Sequence, residues 1–238
     1  MKGVNYKMQI LSLSIGEPFT SPAWGSNFVF FSGDPGAVIP EEDSKEYLRR
    51  VCKYARMHQV YLVPERFMLM NYQCMCLVSP QGKMLGAQKA THLYLPAQPG
   101  SKRGIAVDVF STEFGGIFLC VDVDVYHPEV LRIAGEMGAQ YVFCSQRISR
   151  EDYSSHMVTS GIWNGAQANN LFAIAVSNQF HCVCAPLALS PHRDGFLVSP
   201  TLRTPVSVQM QADDLAQVPR RRLLGRKLYA VHRGELLG

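Results

Sequence analysis

The chain has 238 residues, 47% of them hydrophobic and 18% charged, with a formal net charge of +4. That balance excludes a disordered or strongly solvated chain and suits one folded domain, expected over 1–238, with a sizeable core. The mild charge argues against a nucleic-acid binder, because basic residues cluster only around Arg220, Arg221 and Arg222, with no basic stripe and no interleaved aromatics.

Residues 8–14 and 27–31 read as short strands, separated by a Pro/Gly/Ser-rich stretch with no room for a normal helix. Pro40, Glu41, Glu42 and Asp43 open a helix: proline suits the first turn, and acids suit the positive end of the dipole. Tyr47, Leu48, Val51, Cys52 and Ala55 then recur at helical spacing and give it a buried face. Strands are expected at 60–63 and 74–79, the latter turned back by Pro80, Gln81, Gly82 and Lys83 into a strand at 84–88. A second hairpin is expected from 105–110 into 117–123. Pro128 starts a helix that Gly138 ends. Strands at 141–144, 171–177, 181–187 and 206–211 complete the pattern, with a helix near 163–170. Strands alternating with helices and hairpins, apolar on both faces, point to an α/β layered fold.

Seven cysteines occur: Cys52, Cys74, Cys76, Cys120, Cys144, Cys182 and Cys184. Their odd number and apolar settings point to reduced, buried thiols in the cytoplasm rather than a disulfide framework. The two Cys-x-Cys pairs lie on expected strands and lack the spacing of structural zinc pairs. Residues 1–14 lack the features of a signal peptide, and no apolar run is long enough to span a membrane, so no membrane association is expected.

The run FGGIFLCVDVDVYHPE, from Phe114 to Glu129, resembles the nucleophile strand and elbow of the nitrilase, or carbon-nitrogen hydrolase, superfamily, which reads roughly F-G-x-I-x-x-x-I-C-x-D-x-x-F-P-E. Counting from either end puts the family's cysteine on Asp122. Other segments are similar in order and spacing. Ser79 to Gly86 resembles a D-P-x-G-x-x-x-G hairpin, and Thr91, His92 and Leu93 resemble the end of Y-R-K-x-H-L. Pro128 to Arg132 with Gly138 and Ala139 resembles P-E-L-x-R…G-A. Trp163 with Asn170, and the segment from Asp213 to Tyr229, resemble later family motifs. The resemblance implies a four-layer αββα sandwich, here with a shortened N-terminal unit, and a homodimer or higher homo-oligomer.

In that family a cysteine attacks a nitrile or amide carbon, a glutamate takes its proton, and a lysine stabilises the oxyanion. Carried over residue by residue, the resemblance puts the lysine on Ala90 and the cysteine on Asp122. The glutamate falls on Gly33, with Glu41 as rival, and a second glutamate falls near Gln98. The remnant pocket is expected to hold Asp122, Asp124, Cys120 and His92. Lys89, next to Ala90, points to the opposite face of its strand. Cys120, two residues before Asp122 on the same strand, is expected to share its face but to sit deeper in the fold as an inert thiol. A metal held by Asp122, Asp124, His92 and His127 is the weaker reading, since Asp124 is a structural acid in the family, and no cofactor or metal is expected. The resemblance therefore implies a chain that has lost C–N hydrolase activity and binds a small molecule or a partner. The alternative is an amidase with a rearranged site, using Cys120 or Asp122 for attack and Lys89 or an arginine for charge.

Overall fold

The computed structural model describes residues 8–33, 38–94, 100–151 and 153–218. Among these described residues, thirteen strands form two sheets. The first contains β1 (Leu11–Gly16), β2 (Phe28–Phe31), β3 (Tyr61–Val63), β4 (Phe67–Leu69), β5 (Tyr72–Val78), β6 (Met84–Lys89) and β13 (Val206–Met210). Its order is β13-β1-β2-β3-β5, with β4 sharing the β3 edge of β5 and β6 on the other edge. The second runs β12-β11-β10-β9-β8-β7, built from β7 (Val109–Thr112), β8 (Gly115–Val121), β9 (Ala139–Gln146), β10 (Phe172–Ser177), β11 (His181–Cys184) and β12 (Phe196–Thr201). Strands β1, β2 and β3 are parallel in one sheet, and β8, β9 and β10 in the other.

Three apolar clusters hold four layers together. Leu13, Phe28, Phe30, Met75, Leu119, Val121, Phe143 and Ile174 meet between the two sheets. Val29, Phe31, Leu62 and Cys76 on the outer face of the first sheet pack against Tyr47, Val51 and Ala55 of α1 (Glu41–His58). Phe118, Cys120, Val142, Cys144 and Cys182 on the outer face of the second pack against Val130, Leu131 and Ala134 of α2 (Pro128–Glu136), and against Ile162 and Ala166. The chain thus forms the expected αββα sandwich. Each strand alternates sides, so its odd and even residues feed different cores.

The N-terminal unit is short as expected, and the parallel strands β1 and β2 are joined without a helix. Parallel neighbours normally need a crossover that covers the sheet. Here Phe19 does part of that work: its ring contacts Phe31, Tyr47 and Tyr54 edge-on, and the Arg50 guanidinium lies 4.2 Å above it.

Several expectations shift. The segment near 163–170 is α3 (Ser155–Val158), a π turn from Thr159 to Trp163, and α4 (Asn164–Asn169) in succession. The hairpin strand expected from 105 begins at Val109. Two strands were not foreseen. β4 has only three residues, too few to show a period. β12 contains Pro200, which a strand tolerates at a sheet edge, and an edge is where β12 lies.

The β5–β6 turn forms as expected, with the Gly82 N–H donating to the Ser79 carbonyl. Gly82 has φ +73°, and a Cβ there would sit 2.5 Å from the Cys52 carbonyl oxygen of α1. Gly82→Ala is expected to destabilise the fold by about 1–3 kcal/mol through backbone strain alone, with the clash adding to it. Urea unfolding followed by circular dichroism checks this.

Candidate functional site

β8 ends at Val121, and the chain bends at Asp122 into a 3-10 turn, Asp122–Tyr126, that leads to α2. Asp122 has φ +53°, a left-handed conformation that aspartate and asparagine tolerate better than most residues. This bend takes its side chain out of the strand's alternation. Cys120 lies in the outer core with α2, while Asp122 forms an ion pair with Arg66 of the other sheet's loop. The expectation that both side chains share one face fails for that reason.

The pair is tight and buried. Asp122 Oδ2 lies 2.8 Å from Arg66 Nη1, and the side chains are 9% and 1% exposed. Asp122 Oδ1 accepts the backbone N–H of Arg147, just past β9, at 3.0 Å. Both carboxylate oxygens are therefore engaged. Arg66, between β3 and β4, heads the fully buried side chains by size.

Beside it, Glu65 lies against Gly33. A Cβ on Gly33 would collide with the Glu65 carboxylate. Tyr47 donates its hydroxyl to Glu65 Oε2 at 3.0 Å, and the Glu65 N–H donates to the same hydroxyl at 3.0 Å. Burial, then the Glu65 charge, pushes the Tyr47 hydroxyl well above its usual range, so it stays a donor. Sequence reasoning missed both Glu65 and Arg66. The signal was present: Leu62, Val63, Pro64 and Glu65 form a strand end like the V-V-F-P-E pattern, one strand later than the position considered.

Asp124 is a structural acid. Fully buried, it accepts the Thr91 N–H at 3.0 Å, the Thr91 hydroxyl at 2.8 Å, the His92 N–H at 2.7 Å and His92 Nδ1 at 3.0 Å. It ties the chain after β6 to the elbow of the other sheet. The structure thus brings Asp124 and His92 together, with His127 stacked on His92 at 3.4 Å between ring centroids.

The remaining candidates lie elsewhere. Ala90 is buried between the sheets and offers no charge. Lys89 is exposed, with Nζ 4.1 Å from the Tyr72 ring centroid. Glu41 accepts the N–H groups of Met70 and Asn71 at 2.9 and 3.0 Å, bracing the β4–β5 turn. Gln98 and the chain beyond 218 lie outside the described residues. Two surface grooves, of about 470 and 370 Å³, are lined by residues including Tyr61, Ser79 and Glu113, and Lys45, Arg49 and Cys52. Neither is lined by Asp122, Arg66 or Glu65.

No protein-family model matches the chain, and no curated protein sequence does. Solved structures do match. The amidase from Nesterenkonia sp. is 18% identical, with a TM-score of 0.66 over 94% of this chain and 98% of its own. The carbon-nitrogen hydrolase from Helicobacter pylori is 14% identical, with a TM-score of 0.71 over 89% and 92%. Saccharomyces cerevisiae Nit3, a member of branch 10 of the nitrilase superfamily, is 12% identical, with a TM-score of 0.73 over 93% and 98%.

Two outcomes are expected from this geometry. Asp122→Asn keeps an oxygen for the Arg147 N–H and tolerates the backbone conformation, but removes the charge facing a buried guanidinium. It should destabilise the protein by on the order of 3 kcal/mol in chemical denaturation. Burial, then the neighbouring Cys144, pushes the Cys120 thiol well up. In the native protein at neutral pH, iodoacetamide should therefore leave Cys120 unmodified and react first at Cys52, which is not fully buried. Peptide mass mapping reads this directly. Layer order, sheet topology and structural neighbours agree: this chain has the fold of the nitrilase superfamily.

Proposed function

We propose that this chain is a nitrilase-superfamily homologue without C–N hydrolase activity, which acts by binding a partner. The observation that carries this reading is the buried Arg66–Asp122 ion pair at the elbow, where the family resemblance puts the attacking cysteine. A nucleophile needs a free electron pair and space for substrate. Asp122 has each oxygen occupied and is nearly excluded from solvent, and Ala90 supplies no cation for an oxyanion. By contrast, a mutant of the Nesterenkonia amidase takes covalent addition of the acetamide moiety of fluoroacetamide at its active site cysteine.

Cys120 is a poor substitute, being wholly buried with its thiol pushed well up. An elbow whose carboxylate is paired and buried favours a partner over a small molecule as the thing bound. Self-association is part of the proposal. Ile133 and Met137, one turn apart at the C-terminal end of α2, are 42% and 53% exposed and offer an apolar contact. The thiol content suits the cytoplasm, and no helix among the described residues is long and apolar enough to cross a membrane.

The test is a hydrolysis assay over aliphatic and aromatic amides and nitriles, reading ammonia release. Release at the level of the buffer blank is expected for the wild type, because both Asp122 oxygens are engaged and Ala90 offers no charge at the position the resemblance gives to the lysine. Turnover that Asp122→Ala or Cys120→Ala abolishes would overturn the proposal and establish the rearranged amidase instead.

A further inference from the structure

We propose that His92, His127 and Glu129 form a binding site for a divalent transition-metal ion, zinc foremost. The three side chains each present a ligand atom, and these atoms lie within 4.8 Å of one another. Glu129 Oε1 is 3.9 Å from His92 Nε2 and 3.6 Å from His127 Nδ1.

Hydrogen bonding fixes which nitrogen of His92 is available. Its Nδ1 lies 3.0 Å from Asp124 Oδ1 and 3.0 Å from the Thr91 hydroxyl oxygen. Asp124 can only accept, and the Thr91 hydroxyl already donates its proton to Asp124. The ring proton is therefore assigned to Nδ1, and the lone pair falls on Nε2, facing Glu129. A carboxylate oxygen and an imidazole lone pair then look at each other across a gap too long for a hydrogen bond. A cation between them resolves that opposition. A buried carboxylate that accepts the other ring N–H of an outward-facing histidine is also what commonly orients metal-binding imidazoles.

The donor set selects the ion. Two imidazole nitrogens and one carboxylate suit zinc, with a water in the fourth position, and supply too few oxygens for calcium. Zinc bonds of about 2.0–2.1 Å put tetrahedral ligand atoms roughly 3.3 Å apart, so Glu129 needs to move by only a fraction of an ångström. Glu129 is 60% exposed at its side chain and is free to do so. The rings need more. They are parallel within 6°, and lone pairs lying in two parallel planes do not converge on one ion. Binding therefore tilts His127, the more exposed ring, out of the stack. The positive end of α2 opposes a cation here by about half a charge, which the Glu129 and Asp124 carboxylates outweigh.

This site is separate from the Arg66–Asp122 pair, so it does not depend on the proposed loss of activity. The experiment is equilibrium dialysis of the full chain against zinc, with visible spectroscopy of the cobalt-loaded protein. One ion per chain is expected, with d–d bands of a four- or five-coordinate centre and no thiolate charge-transfer band. His127→Ala and Glu129→Gln should each weaken zinc binding by at least about tenfold, the loss seen even for outer-shell partners, while leaving the metal-free melting temperature unchanged. No bound ion, a thiolate band, or unaltered affinity in both variants would overturn the assignment.

Discussion

A guanidinium taken wholly out of water must find an opposite charge inside the fold, and Arg66 finds it in Asp122. That requirement organises the centre of the molecule. The two residues come from different sheets, so the pair forms only when the sheets are stacked. Asp122 reaches it by adopting a left-handed backbone at the end of β8. The Arg147 N–H, arriving from the neighbouring β9, satisfies the second oxygen. Ion pairs of this kind add little net stability over apolar packing, but breaking one is costly. The consequence is a buried charge pair at the end of β8 that neither sheet can form alone.

The second aspartate of the turn has a different task. Asp124 is fully buried and accepts four donors from Thr91 and His92, so its charge is spread over hydrogen bonds rather than neutralised by a cation. Two carboxylates two residues apart thus both link the sheets. Asp122 reaches back to the β3–β4 loop, and Asp124 reaches to the chain leaving β6. Their side chains go to separate partners, which keeps two buried negative charges from sharing one environment. His92, held by Asp124, is then presented to His127 and Glu129 at the surface.

The first sheet shows how the fold accommodates a short connection. With no helix between β1 and β2, α1 is the one helix on the outer face among the described residues, and Phe19 from the connecting loop wedges against Tyr47 and Tyr54 of that helix. Tyr47 also holds Glu65 beside Gly33, so the same helix that covers the sheet fixes the side chain next to Arg66. Packing and the electrostatics of the elbow are coupled through that one tyrosine.

The periodicity of the chain by itself determined most of the architecture. Helix α1 was legible from Pro40, its first-turn acids and the spacing of Tyr47, Val51 and Ala55. The β5–β6 hairpin was legible from its Pro-Gln-Gly-Lys turn, and the elbow from its resemblance to a family motif. These are local signals, set by backbone preference and by which side of a strand or helix is apolar. β4 and β12 escaped because one is too short to show a period and the other carries a proline. At the site, only the resemblance to the family motif put Asp122 and Ala90 at the cysteine and lysine positions, and that reading belongs to the proposed function. Only the tertiary structure decided what Asp122 pairs with. Arg66 and Asp122 are far apart in the chain, and no spacing rule brings a loop of one sheet onto the elbow of the other. Strand alternation likewise put Cys120 and Asp122 on one face, and a single left-handed residue overruled it. Contacts across layers depend on how the sheets stack and on one backbone angle, and neither is written in a local pattern.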